Sequence, residues 1–289
     1  MSATTLERTG RGAAFLEAVH ARRNAGGALL ATNFYNAETL LAVLRAAREA
    51  GDELILQTSP STLAYLGVET AAALARAAAR EAGVRAWLHL DHAADDALIE
   101  RCLEAGWDSV MIDASEAPFD ENVARTRAVA ERAHASGAAV EAELGYVPKL
   151  GQREATEAGF TAPEEARRFV EATGVDLLAV AVGTAHGFYK REPKLDLPRL
   201  ERIRAATDVP LVLHGASGVP PAQWRAAIAR GVAKINFATE IKDAFTRGLR
   251  DALAGGEIDL RKTFPPAMDA VTELVAGKLR VCRGEGGSV

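Results

Sequence analysis

Leu88-His-Leu-Asp-His92 reads as a short β-strand that closes on a carboxylate and an imidazole. Two further stretches repeat the pattern of an apolar run that meets a histidine: Gly183-Thr-Ala-His186-Gly187 and Leu211-Val-Leu-His214-Gly215. In a barrel of parallel strands, residues just past the strand C-termini converge on one mouth, so His92, His186 and His214 can meet although far apart in sequence. Three neutral imidazoles around one ion leave a coordination position open, which is how catalytic zinc is held, whereas structural zinc is closed off.

Working outward, hydrophobic periodicity gives eight short apolar runs: Ala28–Thr32, Glu53–Thr58, Ala86–Asp91, Ser109–Asp113, Ala138–Leu144, Asp176–Val182, Pro210–His214 and Val232–Phe237. Amphipathic helical stretches separate them, from Glu38–Ala50 through to Thr239–Leu253, and Gly51, Gly83, Gly106, Gly137, Gly174 and Gly231 stand at or near six helix ends. Strand then helix, eight times over, predicts an α/β fold, a (β/α)8 TIM barrel, ahead of a doubly wound open sheet. An extra N-terminal helix at about Gly12–Arg23 and a C-terminal helical extension at about Pro266–Val281 lie outside the count, and Gly284–Val289 reads as a frayed tail. With 289 residues and 48% hydrophobic content, the expectation is one domain over residues 1–289.

The chain carries 34 basic and 39 acidic residues, a formal charge of −5 with both signs interspersed, so no nucleic-acid footprint or basic membrane face is expected. The polar start, with no long apolar run after it, predicts no signal peptide and no membrane span, and hence a cytoplasmic protein. Cys102 and Cys282 are too few for a ligand cluster or a disulfide framework; Cys102, in a helical pattern, is read as a buried thiol, and neither is assigned any chemistry.

Each predicted strand places something polar at the same rim. Asn33 ends the first, Gln57 and Ser59 the second, Asp91 and His92 the third, Asp113 the fourth and Glu143 the fifth. His186 follows the sixth, His214 the seventh, and Asn236 and Thr239 the eighth. A lone polar residue at a strand end is usually a satisfied structural group. A complete rim of them marks a site. Gly215-Ala-Ser-Gly218 and Asn236-Phe-Ala-Thr239 lie after strands seven and eight, where such barrels bind phosphate through backbone N–H groups and a helix N-terminus. Gly187 and Lys190 could serve the same anion; the competing reading of Gly-Ala-Ser-Gly is an ordinary turn between strand and helix. His89 shares a strand face with Asp91 and is read as a residue below the ligands, bonded to a neighbour, ahead of the alternative that it is itself a ligand. His20 and His134 are read as surface or packing residues.

The strings His89-Leu-Asp-His92, Val140-Glu-Ala-Glu-Leu-Gly145, Gly183-Thr-Ala-His-Gly187, Leu213-His-Gly-Ala-Ser-Gly218 and Lys234-Ile-Asn-Phe-Ala-Thr-Glu240 resemble, in order, the class II, zinc-dependent fructose/tagatose-bisphosphate aldolases. The resemblance runs from about Asn33 to Arg261. It implies that His92, His186 and His214 are zinc ligands, that Asp91 is the acid/base at the C4 oxygen of a ketose, and that Glu143 and Asp113 flank the metal and can hold it, or a second ion, in an alternative position. It also implies that Gly187, Lys190, Gly215, Ser217, Asn236 and Thr239 hold a dihydroxyacetone-phosphate half. Lys242 and Arg261 resemble residues of a distal phosphate site, the latter donated by a neighbouring subunit of a homodimer or homotetramer. The chemistry suits these residue types. Breaking the C3–C4 bond leaves charge that must spread as an enediolate, which a Lewis-acidic zinc stabilises while a carboxylate takes the C4 hydroxyl proton.

Two departures bear on the substrate. The segment Tyr146–Glu157 contains Glu154 and Glu157, with Gly151 as a candidate hinge, but neither glutamate has the offset expected of the base that moves the C3 proton. Ala238 stands where many fructose enzymes of the family carry Asp or Asn and the tagatose branch carries Ala, which favours a tagatose-bisphosphate-like or related ketose phosphate. Fructose bisphosphate is the alternative. Cobalt, manganese or iron could also occupy an imidazole site. A zinc hydrolase on the same barrel is disfavoured because strand one shows no His-x-His pair and strand eight no metal-binding Asp; a non-catalytic sugar-phosphate-binding subunit is disfavoured by the presence of all three histidines and Asp91.

Overall fold

The computed structural model describes residues 10–148, 159–189 and 192–284. Eight parallel strands follow one another around a closed barrel, β8 pairing back onto β1. They are β1 (Leu29–Asn33), β2 (Leu54–Thr58), β3 (Ala86–Ala93), β4 (Ser109–Ile112), β5 (Ala139–Leu144), β6 (Leu177–Val180), β7 (Leu211–Leu213) and β8 (Val232–Phe237). The helices are α1 (Arg11–Asn24), α2 (Ala37–Ala50), α3 (Pro60–Leu66), α4 (Val68–Ala82), α5 (Asp96–Glu104), α6 (Phe119–Ala135), α7 (Pro163–Thr173), α8 (Leu197–Ala206), α9 (Pro221–Ile228), α10 (Thr239–Leu253) and α11 (Leu260–Cys282). Among the described residues, no helix is long and apolar enough to cross a membrane.

Parallel strands covered on both faces can be apolar throughout, and strand alternation divides their side chains into two cores. Leu30, Leu56, Leu90, Val110 and Val140 point outward and pack under the helices. Leu29, Ile55, Leu177 and Val212 point inward and form a second cluster with Phe15, Ala18 and Val19 of α1. The N-terminal helix is therefore a plug in the end of the barrel opposite the mouth. It sits close enough that the Gly12 N–H donates to the Gly137 carbonyl at 2.8 Å. A Cβ at Gly12 would lie 2.5 Å from both the carbonyl carbon of Ala138 and the amide nitrogen of Ala139. Overpacking of this kind costs about 1–3 kcal/mol, so Gly12→Ala is expected to lower the midpoint of denaturant unfolding. An unchanged midpoint would show that the plug can back away freely.

Two helices depart from the sequence expectation. The stretch after β2 turns at once into α3, with Pro60 in its first turn and Ser59 as its N-cap residue, before Gly67 separates it from α4. The C-terminal helix begins at Leu260 instead of about Pro266: Asp259 caps it by accepting from the Arg261 N–H, and Pro265 and Pro266 lie inside it. Proline favours a helix start because its missing N–H costs nothing there. Here the cap sets the start and the helix forgoes two donors.

Candidate metal and catalytic centre

Successive residues of a regular strand face opposite sides, so Asp91 and His92 could not both reach the mouth. β3 breaks the alternation. His92 adopts a left-handed φ of 51°, and the ladder with β4 shifts register between Leu90 and Ala93. That conformation costs a non-glycine residue about 1–2 kcal/mol.

The His92 Nδ1–H donates to Asp113 Oδ2 at 2.6 Å, which leaves Nε2 buried and without a hydrogen-bond partner. The His214 Nε2–H donates to Glu141 Oε1 at 2.8 Å, so its Nδ1 is likewise unpaired. That Nδ1 lies 3.0 Å from Glu143 Oε2 without hydrogen-bond alignment, and the carboxylate oxygen is also unpartnered. His186 completes the group: ligand atoms of His92, Glu143, His186 and His214 all lie within 4.8 Å of one another. Ring centroids are 4.7 Å apart for His92 and His186, 4.6 Å for His92 and His214, and 6.0 Å for His186 and His214.

Lone-pair atoms that converge in a buried space need a positive charge between them, and this donor set fits a divalent metal ion. Protonation reads the same field. Burial opposes a charge on His214, yet the Glu141 and Glu143 carboxylates that face its two ring nitrogens carry its pKa up to about 10. His186 has no such carboxylate, and burial with the charges of His92 and His214 pushes it down to about 3.

Asp91 lies beside this group, 7% exposed. Asn33 Nδ2 donates to its Oδ2 at 3.3 Å and Asn236 Nδ2 to its Oδ1 at 3.1 Å. Burial disfavours its charge, but His92, His214 and Lys234 outweigh that and hold the carboxyl below the usual range. The arrangement joins a cluster able to hold a metal ion to a fixed, ionised carboxylate at the barrel mouth.

The family profile described as class II fructose-bisphosphate aldolase matches residues 14–287. The chain belongs to that family. It is thus an aldolase, a carbon–carbon lyase, in a family that is in general zinc-dependent. Among solved structures, the YdjI aldolase from Escherichia coli K12 is similar at 32% identity and a TM-score of 0.84, covering 95% of this chain and 98% of that one. A Coccidioides immitis protein proposed to be a fructose-1,6-bisphosphate aldolase is 32% identical, with a TM-score of 0.84 over 94% of this chain and 96% of its own. The fructose-bisphosphate aldolase of Campylobacter jejuni, at 22% identity, shares the fold with a TM-score of 0.82 over 95% of each chain.

The remaining rim residues of this aldolase occupy distinct positions. Gln57 is fully buried and neither of its amide atoms has a partner, whereas the Ser59 hydroxyl is engaged with Ser61 and Thr62. Asp113 braces His92 and lies outside the cluster of four. Ser217 Oγ accepts from the backbone N–H groups of Thr239 at 3.1 Å and Ala238 at 3.4 Å, which brings the loop after β7 to the N-terminus of α10. Gly187 follows His186 directly, and Gly215 packs so tightly that a Cβ there would lie 2.6 Å from the Ala185 carbonyl oxygen. The Lys242 ammonium stands 5.6 Å from the centre of the Tyr35 ring. Arg261 is not at the mouth: it is 90% exposed, pairs with Asp259, and is reached only beyond the 15 residues of α10. Lys190, Gly151, Glu154 and Glu157 lie outside the described residues.

Two residues that the sequence reading left without a role complete the support. Lys234 Nζ donates to Glu141 Oε2 at 2.7 Å and to His89 Nε2 at 3.4 Å, and all three side chains are fully buried. Burial and the Lys234 charge push His89 down to about 3, so it stays neutral. Their signal in the sequence is a glutamate and a lysine inside otherwise apolar strands, where a charge survives only if paired. Braces of this kind tune metal affinity, so Asp113→Ala is expected to weaken zinc binding about 10- to 100-fold, read by competition with a chelator. Wild-type affinity in that variant would mean His92 holds its orientation without help.

Proposed function

We propose that this aldolase cleaves the C3–C4 bond of a ketose phosphate to dihydroxyacetone phosphate and an aldehyde, using zinc held by His92, His186 and His214. The observation that carries the proposal is Asp91, fixed by two amides and kept ionised beside the cluster of three imidazoles and Glu143. When bound, the zinc supplies Lewis-acid stabilisation of the negative charge that develops on the ketose oxygens. Asp91 accepts the C4 hydroxyl proton as the bond breaks. Asn33 and Asn236 aim its carboxylate, and Glu143 and Asp113 steady the histidines or hold the ion in an alternative position. The phosphate sits among Gly187, Gly215, Ser217 and Thr239, with Lys190 as a further cation, and Gln57 and Ser59 contact the sugar. Anchoring it fixes the reacting carbons.

The methyl group of Ala238 favours a tagatose-bisphosphate-like or related ketose phosphate over fructose bisphosphate, with Lys242 at a distal phosphate. Arg261 joins that phosphate from a neighbouring copy in a homodimer or homotetramer. Leu253, Ile258 and Leu260, 51%, 91% and 58% exposed, lie on or beside the same connection and support such an interface. Both cysteines are free and buried, which suits a cytoplasmic setting.

The test is a coupled assay for triose-phosphate release from tagatose 1,6-bisphosphate, fructose 1,6-bisphosphate and a panel of ketose 1-phosphates, with and without chelator. Chelator-sensitive release from tagatose bisphosphate or a ketose 1-phosphate, exceeding that from fructose bisphosphate, is expected. A preference for fructose bisphosphate would overturn the substrate assignment alone, and release that survives complete zinc removal would overturn the zinc assignment.

A further inference from the structure

His186 and His214 stand beyond the last paired residues of their strands. The ladder between β6 and β7 ends at Ala179 and Val212, so strand pairing does not fix one histidine relative to the other. A side chain outside the cluster spans the gap. The Tyr189 hydroxyl accepts from the Ala185 backbone N–H at 2.6 Å and donates to the Gly215 carbonyl at 2.8 Å. Ala185 directly precedes His186, and Gly215 directly follows His214. One oxygen atom thus links the backbone beside one histidine to the backbone beside the other.

The ring that carries this oxygen is itself held. Tyr189 packs against the outer core, and a Cβ at Gly218 would meet its Cδ2 at 3.4 Å, ordinary contact distance. The two loops also approach closely at Gly215 and Ala185, so they cannot move nearer to each other. Burial pushes the phenol up to about 12, which keeps the hydroxyl protonated and able to donate.

We infer that Tyr189 is a positioning residue for the metal centre: its hydroxyl sets the spacing of the His186 and His214 loops so that both imidazoles reach one ion. The inference rests on the proposed reading of these histidines as zinc ligands. It assigns Tyr189 no contact with substrate and no proton transfer.

The test is zinc affinity of the full chain, measured by competition with a chromophoric chelator, for wild type and Tyr189→Phe. The phenylalanine keeps the ring and deletes only the bridge. Loss of a group that orients ligands costs about 10- to 100-fold in metal affinity, and a loss of that size is expected, with kcat recovering at saturating zinc. A role confined to stability would lower the melting temperature of the zinc-free protein and leave affinity within about twofold of wild type, and that result overturns the inference. A wild-type chain that bound no zinc would remove the metal reading and this inference together, whereas tight wild-type binding matched by the variant removes the inference alone. Hydrogen exchange needs no variant: the Ala185 amide of the zinc-free wild type is expected to be protected, and exchange at the rate of a free loop overturns the bridge.

Discussion

Asp91→Ala is expected to lower cleavage of the preferred ketose phosphate by about 10²- to 10⁴-fold while zinc content stays at the wild-type level. The carboxylate is not among the four residues of the metal cluster, so its loss leaves that donor set intact. What disappears is the acceptor for the C4 proton. Alanine also leaves the buried Asn33 and Asn236 amides without their partner, which costs about 1–3 kcal/mol for each amide left unpaired. The signature is therefore a fall in kcat with near-normal metal. Near-wild-type turnover by a zinc-loaded Asp91→Ala protein would require another residue to be the acid/base.

Lys234→Met carries the largest expected cost in stability. Lys234 and Glu141 form an ion pair at 2.7 Å with both side chains fully buried. Removing one partner of such a pair typically costs about 3–5 kcal/mol, because the remaining charge is stranded in a low-dielectric interior. For a chain of this size that is a drop of roughly 6–20 °C in melting temperature. Burial alone would protonate Glu141; the Lys234 charge and the hydrogen bond with His214 together hold it ionised. Without the lysine, Glu141 drifts toward its neutral form and grips His214 less well, so zinc binding weakens too. Adding Glu141→Gln to Lys234→Met removes the stranded charge and is expected to recover a large part of the lost stability. A double variant no more stable than the single one would show that the penalty comes from lost packing of the lysine stem.

The barrel is legible in this sequence because each strand and helix announces itself locally. Apolar runs mark the strands, and Gly51, Gly83 and Gly174 close their helices in the left-handed conformation. Two local signals misled. Ser59 reads as a polar group at a strand end, although a serine before proline equally begins a helix, here α3. The prolines of α11 looked like its start, although Asp259 caps it further upstream.

In the site, the three histidines, Asp91 and Glu143 stand out because the fold places strand ends together. The braces do not. Glu141 meets His214 across 73 residues and Lys234 across 93, and no local pattern states which inward-facing side chains share a level of the barrel. The same limit hid the second use of Asn236, which steadies Asp91 from 145 residues away. Position on a strand shows that a residue faces inward; only the closed register shows whom it meets.

The plug formed by α1 makes the barrel a blind well. Phe15 and Val19 are fully buried against the inward side chains of the strands, so the end opposite the mouth offers no passage. Whatever enters the centre must leave by the way it came. A sugar phosphate seated at the rim would then stand between the ion and bulk solvent, much as a stopper does, and would set the order of departure: product first, metal afterwards. While the sugar phosphate is seated the well itself would hold an ion in; between turnovers only the ligands would.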